Sequence, residues 1–410
     1  MHHIDVPQLA GLLFVMLGAA KLSGRLAQWA GQPAVLGELV AGVVVGKSVL
    51  GLVDPSMDVL HLMGELGVLI LLLTIGIETD LVKLLKAGVD ATVVAIAGVV
   101  LPFAMGYVLS LMLGLTNVVA ILVGASLTAT SVGITARVLG DLGRLQDREG
   151  QVILGAAVLD DVIGLVILTV VAGMAGGTTV SLGMITRTTV LAFGFLAVTL
   201  VSGKLLIRQI SLRFHHLQMP GTPAILVMML AFGLAWLADR SGSAVILGAF
   251  AAGLLVADTP WSHDIEVGVT RIGHFFVPLF FVTVGAAVDV SVLNPLNAAN
   301  HKILMLAGLL TVVAVIGKFA AGYAPFWFKG NKALIGAGMI PRGEVGLIFA
   351  GMGRQGGLLD EGLYAAVAVV IMITTFIAPP LLKYLLPPIP GAPPVREYDH
   401  EGIEDLATEV

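Results

Sequence analysis

The sequence predicts an all-α polytopic membrane protein of about thirteen transmembrane helices. Three observations carry this. Charged residues are 12% of the 410, where a soluble domain carries about 25%. Hydrophobic residues make up 57%, and the mean hydropathy is +1.00. Apolar stretches close to the roughly 20 residues of a membrane span recur along the whole chain. The same composition excludes an ordinary soluble domain and long disorder. A net charge of −5 with no basic block argues against nucleic-acid binding. With no cysteine, disulfides, thiolate metal sites and cysteine nucleophiles are ruled out. The 51 glycines suit helices packed closely in lipid.

Thirteen stretches read as spans, with boundaries free by several residues: 7–23, 33–49, 60–78, 88–112, 117–137, 151–174, 188–207, 222–238, 243–257, 268–288, 302–327, 333–352 and 361–386. The second and ninth are short, as for shallow or tilted helices. Met1–Val6 carries no Lys or Arg and no cleavage box follows, so the first stretch reads as a span and not a cleaved signal. With the N-terminus outside, 15 of the 20 Lys and Arg residues that lie between spans or near their ends fall on the inner side, as the positive-inside rule requires. The expected setting is a bacterial inner membrane. Residues 387–410 read as a short, acidic cytoplasmic tail.

The two halves echo each other. Pro33-Ala-Val-Leu-Gly37-Glu-Leu-Val-Ala-Gly42 matches Ala244-Val-Ile-Leu-Gly248-Ala-Phe-Ala-Ala-Gly253 at an offset of 211. Thr74-Ile-Gly76 with Asp80 matches Thr283-Val-Gly285 with Asp289 at 209, and Ser131-Val-Gly133 matches Glu344-Val-Gly346 at 213. Spans 1–6 and 8–13 form the repeats, with span 7 as connector. Equivalent spans lie seven apart, an odd number, so the repeats have inverted topology, which is a transporter signature. Gly42-Val-Val-Val-Gly46 and Gly253-Leu-Leu-Val-Ala257 are small-xxx-small patterns, explained by helix packing within a protomer or between two.

Matching spans 5 and 12 are interrupted. Span 5 holds Thr128, Thr130, Ser131 and Gly133 in one run; span 12 holds Pro341, Gly343 and Gly346. Proline removes a backbone donor and clashes with the preceding turn. Paired breaks in the two repeats point to a transport site, where freed carbonyls and helix ends coordinate a cation. Span 6 carries Asp160-Asp161 at mid-span, at a cost of at least about 2.5–3.5 kcal/mol for such a residue. Successive residues diverge by about 100° on a helix, so the two carboxylates reach different partners. Lys318, in the apolar span 11, needs a carboxylate, and a span 6 aspartate is the natural one. Arg342 and Glu344 in the span 12 break, with Glu78 at the end of span 3, read either as functional or as a structural charge network. Glu38 reads as structural or interfacial. The histidines form no cluster of ligand spacing, and no nucleotide loop or hydrolase triad is present. A transporter driven by an ion gradient is the first reading. A cation channel or a sodium-coupled organic-anion symporter is the alternative.

Residues 7–386 resemble the cation:proton antiporter superfamily, nearest to bacterial sodium/proton antiporters of the NapA type. The resemblance is carried by Gln32-Pro33-Ala-Val-Leu-Gly37-Glu38, Gly76-Ile-Glu78-Thr, Thr128-Ala-Thr-Ser-Val-Gly-Ile-Thr-Ala-Arg137, Gly155-Ala-Ala-Val-Leu-Asp160-Asp161, Lys318 and Pro341-Arg-Gly-Glu-Val-Gly-Leu347. It implies a thirteen-helix homodimer without cofactor or enzymatic activity, exchanging sodium or lithium for protons by an elevator motion. By the same resemblance, a core of about 88–174 and 302–386 moves against a dimerisation part of about 1–87 and 222–300, with 188–207 connecting them. Asp161 is the expected ion and proton carrier, Asp160 pairs with Lys318, and both aspartates bind sodium. Thr128, Thr130 and Ser131 lie near the ion, and Glu78, Arg342 and Glu344 form core charge pairs. Potassium efflux relatives in the superfamily often lack the double aspartate and carry a nucleotide-binding domain. The double aspartate here, and a chain that stops without such a domain, favour sodium or lithium over potassium, with a potassium/proton antiporter as the runner-up.

Overall fold

In a computed structural model of the chain, the described residues are 5–175, 182–213, 222–294, 296–297 and 300–386. The tail expected at 387–410 lies outside them. Among them all regular structure is helical apart from a single bridge between Gly46 and Val53. The chain begins with α1 (Val6–Trp29), α2 (Ala34–Val45) and α3 (Asp58–Glu78). A short α4 (Leu81–Lys86) precedes α5 (Gly88–Met112), α6 (Asn117–Ser126) and α7 (Val132–Asp141). Then come α8 (Arg148–Ala175), α9 (Leu182–Arg213), α10 (Thr222–Arg240), α11 (Val245–Ala257) and α12 (Ser262–Ala286). The last are α13 (Asn300–Ala321), α14 (Lys332–Gly338), α15 (Glu344–Gln355) and α16 (Glu361–Leu385).

Among the described residues nine helices (α1, α3, α5, α8, α9, α10, α12, α13 and α16) are long and apolar enough to cross a bilayer alone. α2 and α11 fall on the two stretches read as short. The remaining two expected spans are each split, 117–137 into α6 and α7 and 333–352 into α14 and α15. Span 11 needs a correction: expected to run to 327, its helix ends at Ala321. Tyr323, Phe326 and Trp327 made the segment look apolar, but Pro325 bars a helix there. The aromatic run forms a loop, in which Trp327 Nε1 donates to Asp90 Oδ1 at 2.7 Å.

The helices pack as two bundles. α1, α2, α3, α10, α11 and α12 form one; α5, α6, α7, α8, α13, α14, α15 and α16 form the other. The first is locked by backbone-to-backbone glycine crossings. A methyl on Gly42 of α2 would overlap the Val282 carbonyl of α12, and one on Gly285 would overlap the Leu39 carbonyl of α2. The same relation joins Gly76 of α3 to the Phe250 carbonyl of α11 and Gly253 of α11 to the Leu73 carbonyl of α3. Both small-xxx-small motifs therefore act inside the protomer. Without side chains at these crossings the helices gain close van der Waals contact, the main source of helix affinity in lipid. In the second bundle Gly317 of α13 lies against Pro102 of α5.

Asp80 and Asp289, which the sequence comparison of the two halves aligns, both cap the turn that follows them. Asp80 accepts from the N–H groups of Val82 and Lys83, and Asp289 from that of Ser291. Glu38 is buried in α2, within electrostatic reach of Arg137 and Asp141 across the bundle boundary.

Candidate functional site

The site forms where the two interrupted spans cross. α6 stops at Ser126 and α7 restarts at Val132; α14 stops at Gly338 and α15 restarts at Glu344. Between them the chain is extended at Ser131 and at Gly343. Hydroxyl groups that compete for backbone carbonyls explain the first break. Ser126 donates to Val123 O and Thr128 to Ala125 O, closing off the end of α6. Pro341 explains the second. The breaks hold each other: Ser131 N–H donates to Pro341 O at 2.8 Å, and Thr135 Oγ1 to Gly338 O at 2.7 Å. Gly343 leaves room for Ser131, whose Oγ would stand 2.9 Å from any Cβ placed there. Four half-helix ends thus meet inside the protein, two with partial positive and two with partial negative character.

Arg342 is wholly buried in the second break. Its Nη1 donates to Ala129 O at 3.3 Å and its Nη2 to Ala314 O at 3.2 Å, while Thr375 Oγ1 donates to the Arg342 carbonyl. A planar fork reaches both carbonyls at once; a single ammonium does not. Arg342→Lys is therefore expected to lower thermal stability in detergent by about 1–3 kcal/mol, the cost of leaving a buried carbonyl unsatisfied. An unchanged melting curve would remove the bridging role.

Asp160 and Asp161 sit midway along α8 and point apart. Asp160 is 2% exposed and Lys318 of α13 is 0% exposed. Lys318 Nζ donates to Asp160 Oδ2 at 3.1 Å and to Thr130 Oγ1 at 2.6 Å. Losing one partner of such a pair typically costs about 3–5 kcal/mol, because the other charge stays buried. Asp160 Oδ1 has no hydrogen-bond partner among the described residues. Gly98 of α5 abuts the amine, 3.5 Å from where a Cβ would stand. Asp161 is half-buried and borders a cavity of about 10 Å³ with Thr130, Ser131, Gly133 and Gly343. That is room for about one water molecule. Val68 of α3 and Ile246 of α11 close the cavity from the other bundle. A carboxylate and two hydroxyls are hard oxygen donors of the kind that suit small hard cations.

The structure gathers Asp160, Lys318 and Thr130 directly, and sets Asp161 and Ser131 at the adjoining cavity. Thr128 spends its hydroxyl on its own helix end. Glu78 is the half-buried last residue of α3. Glu344 opens α15, and its side chain lies outside the described residues. Sequence reasoning missed Val68, Ile246 and Thr375. Val68 and Ile246 carry no chemical signal, although Ile246 falls inside the echoed sequence motif; Thr375 shows only as one of two adjacent threonines in the last span. It also missed the Ala314 carbonyl, which no side chain marks.

A family model described as "Sodium/hydrogen exchanger, transmembrane" matches residues 12–386. The chain belongs to this exchanger family. One relative is the high-affinity Na⁺/H⁺ antiporter NhaS3 of Synechocystis, 40% identical over 92% of this chain and 90% of its own length. Another is the Na⁺/H⁺-K⁺ antiporter GerN of Bacillus cereus, 36% identical over 90% of this chain and 94% of its own. The structure of the sodium/proton antiporter MjNhaP1 from Methanocaldococcus jannaschii superposes with a TM-score of 0.67. It covers 92% of this chain and 96% of its own at 18% identity, so the fold is shared. Like the rest of the exchanger family, this chain is a multi-pass membrane protein.

Proposed function

We propose that the chain exchanges sodium or lithium for protons across a bacterial cell membrane, by alternating access at Asp161. One observation carries the reading: Asp161 borders an ion-sized cavity on the boundary between two bundles, with a buried Asp160–Lys318 pair behind it. The names of the relatives from Synechocystis and Bacillus cereus support it. So does the cavity's size, since an organic anion needs a far larger pocket, typically about 300–1,000 Å³.

In this reading the chain crosses the membrane thirteen times, with its N-terminus outside. The bundle holding Asp161 is the moving core, and the glycine-locked bundle is the dimerisation part of a homodimer. The two halves are inverted repeats. Their correspondence pairs Gly42 with Gly253 and Gly285 with Gly76, so each glycine crossing maps onto the other.

A cytoplasmic sodium ion binds deprotonated Asp161 and draws Asp160 from Lys318. Lys318, unpaired in a low-dielectric site, gives up its proton. The loaded core moves, and protons from outside replace the ion. Cation and proton compete for the same carboxylates, so each weakens the other by the same factor. Two protons per sodium make the cycle electrogenic. Lys318→Gln is expected to shift exchange toward one proton per sodium, with loss of voltage dependence in proteoliposomes at clamped potential. Unchanged voltage dependence would take Lys318 out of the proton count.

The Bacillus cereus relative, a Na⁺/H⁺-K⁺ antiporter by name, makes potassium the second reading. Dye-monitored exchange in proteoliposomes, comparing sodium, lithium and potassium, tests the whole proposal. Sodium and lithium are expected to collapse a pH gradient at lower concentration than potassium. Equal or stronger potassium response would overturn the sodium assignment.

A further inference from the structure

We infer that the groove between α2 and α16 binds an anionic phospholipid of the inner leaflet. One acyl chain lies in the groove, and the headgroup sits on Lys383. The groove is about 310 Å³ and is lined wholly by apolar side chains: Val40, Val43 and Val44 of α2, and Met372, Ile373, Phe376 and Ile377 of α16. This volume is within the range of ligand sites, roughly 300–1,000 Å³. Val40, Val44 and Ile377 are each about two-fifths exposed, so the groove opens sideways. In a bilayer that side holds lipid.

Charge complementarity selects the occupant. Ile373, Phe376 and Lys383 recur on one face of α16 at helical spacing, so Lys383 continues the groove wall. It lies six residues past Ile377, about 9 Å along the axis. Its ammonium crosses toward the α1–α2 turn, 3.1 Å from the place of a Cβ on Gly31. The amine therefore stands beyond one end of the groove, the inner end in the orientation proposed above, between one helix of each bundle. Among the described residues no carboxylate forms an ion pair with Lys383. A basic side chain at the mouth of an inter-helix pocket attracts anionic headgroups. An apolar slot ending in a cation matches a phosphatidylglycerol-like lipid, with chain and phosphate at the right ends. A second copy of the protein offers no such matched pair of features.

The test is native mass spectrometry of the full chain, released from vesicles holding equal phosphatidylglycerol and phosphatidylcholine of the same acyl chains. Wild type is expected to retain one phosphatidylglycerol per chain after phosphatidylcholine is lost. Lys383→Gln is expected to bring the retention of the two lipids to parity. Val44→Phe, which fills the groove, is expected to lower the retention of both. Equal retention of the two lipids by wild type, or undiminished phosphatidylglycerol on Lys383→Gln, would overturn the assignment. Lys383 lies at a helix end and is partly exposed, so its substitution tests the headgroup site even where the phenylalanine variant misfolds.

Discussion

Asp161→Asn is expected to abolish sodium-dependent proton movement in proteoliposomes, a fall of at least about 100-fold, or about 2.7 kcal/mol on the scale of rate ratios. The amide matches the carboxylate in size, so the small cavity against Val68 and Ile246 keeps its shape. What disappears is the negative charge that attracts the cation and the site that takes the proton. Both halves of the exchange fail together, which separates this residue from one that only shapes the site. Asp160 cannot substitute, because Lys318 holds it and it lies away from the cavity. The measurement is the dye response to a sodium pulse at several pH values, with protein orientation and folding checked by melting. A pH-dependent sodium response within tenfold of wild type would remove Asp161 as the carrier.

Gly285→Ala is expected to destabilise the protein more than any other single methyl addition considered. Its Cβ would overlap the Leu39 carbonyl and press on the Gly42 Cα, both backbone atoms that cannot rotate aside. α2 and α12 must therefore move apart along their length. Overpacking of this kind costs about 1–3 kcal/mol or more, and the parted helices also lose the close contact on which their affinity rests. Gly308→Ala is the control: it lies in α13 with nothing within 4 Å of the added carbon. That change is expected to be neutral or slightly stabilising. Melting in detergent reads both. Equal melting points for the two variants would show that the crossing tolerates separation.

Much of this architecture was legible in the residues. The long spans follow from length and apolarity alone, and the short α2 and α11 from their flanking prolines, glycines and polar residues. The interruptions could be located because Pro341 and the hydroxyl run from Thr128 have backbone consequences wherever they occur. Cost alone required a span 6 aspartate beside Lys318, since a lone buried charge is expensive in lipid; the choice of Asp160 came from the family resemblance. What stayed hidden was whatever depends on which helix faces which. Val68 and Ile246 look like any aliphatic residue in a span, and nothing local marks them as the far wall of the cavity. The end of α13 was misplaced because Tyr323, Phe326 and Trp327 count as apolar, although aromatic side chains favour the membrane interface. Arg342 reads as one half of an ion pair, and its carbonyl partners come from a segment 28 residues away and a break 213 residues away.

The buried pair of cations, Lys318 and Arg342, decides where the membrane voltage does its work. In the proposed cycle the sodium leg carries two carboxylates, the ion, a neutral Lys318 and the charged Arg342, summing to zero. The return leg carries one carboxylate, a protonated Asp161, and charged Lys318 and Arg342, summing to plus one. Any other fixed charge in the moving bundle adds equally to both legs, so the difference of one elementary charge survives. A potential negative inside therefore favours the proton-loaded return over the sodium-loaded step by one elementary charge per cycle, up to about 2.3 kcal/mol per 100 mV. Membrane voltage, on this view, drives the pump through the single charge by which its two journeys differ.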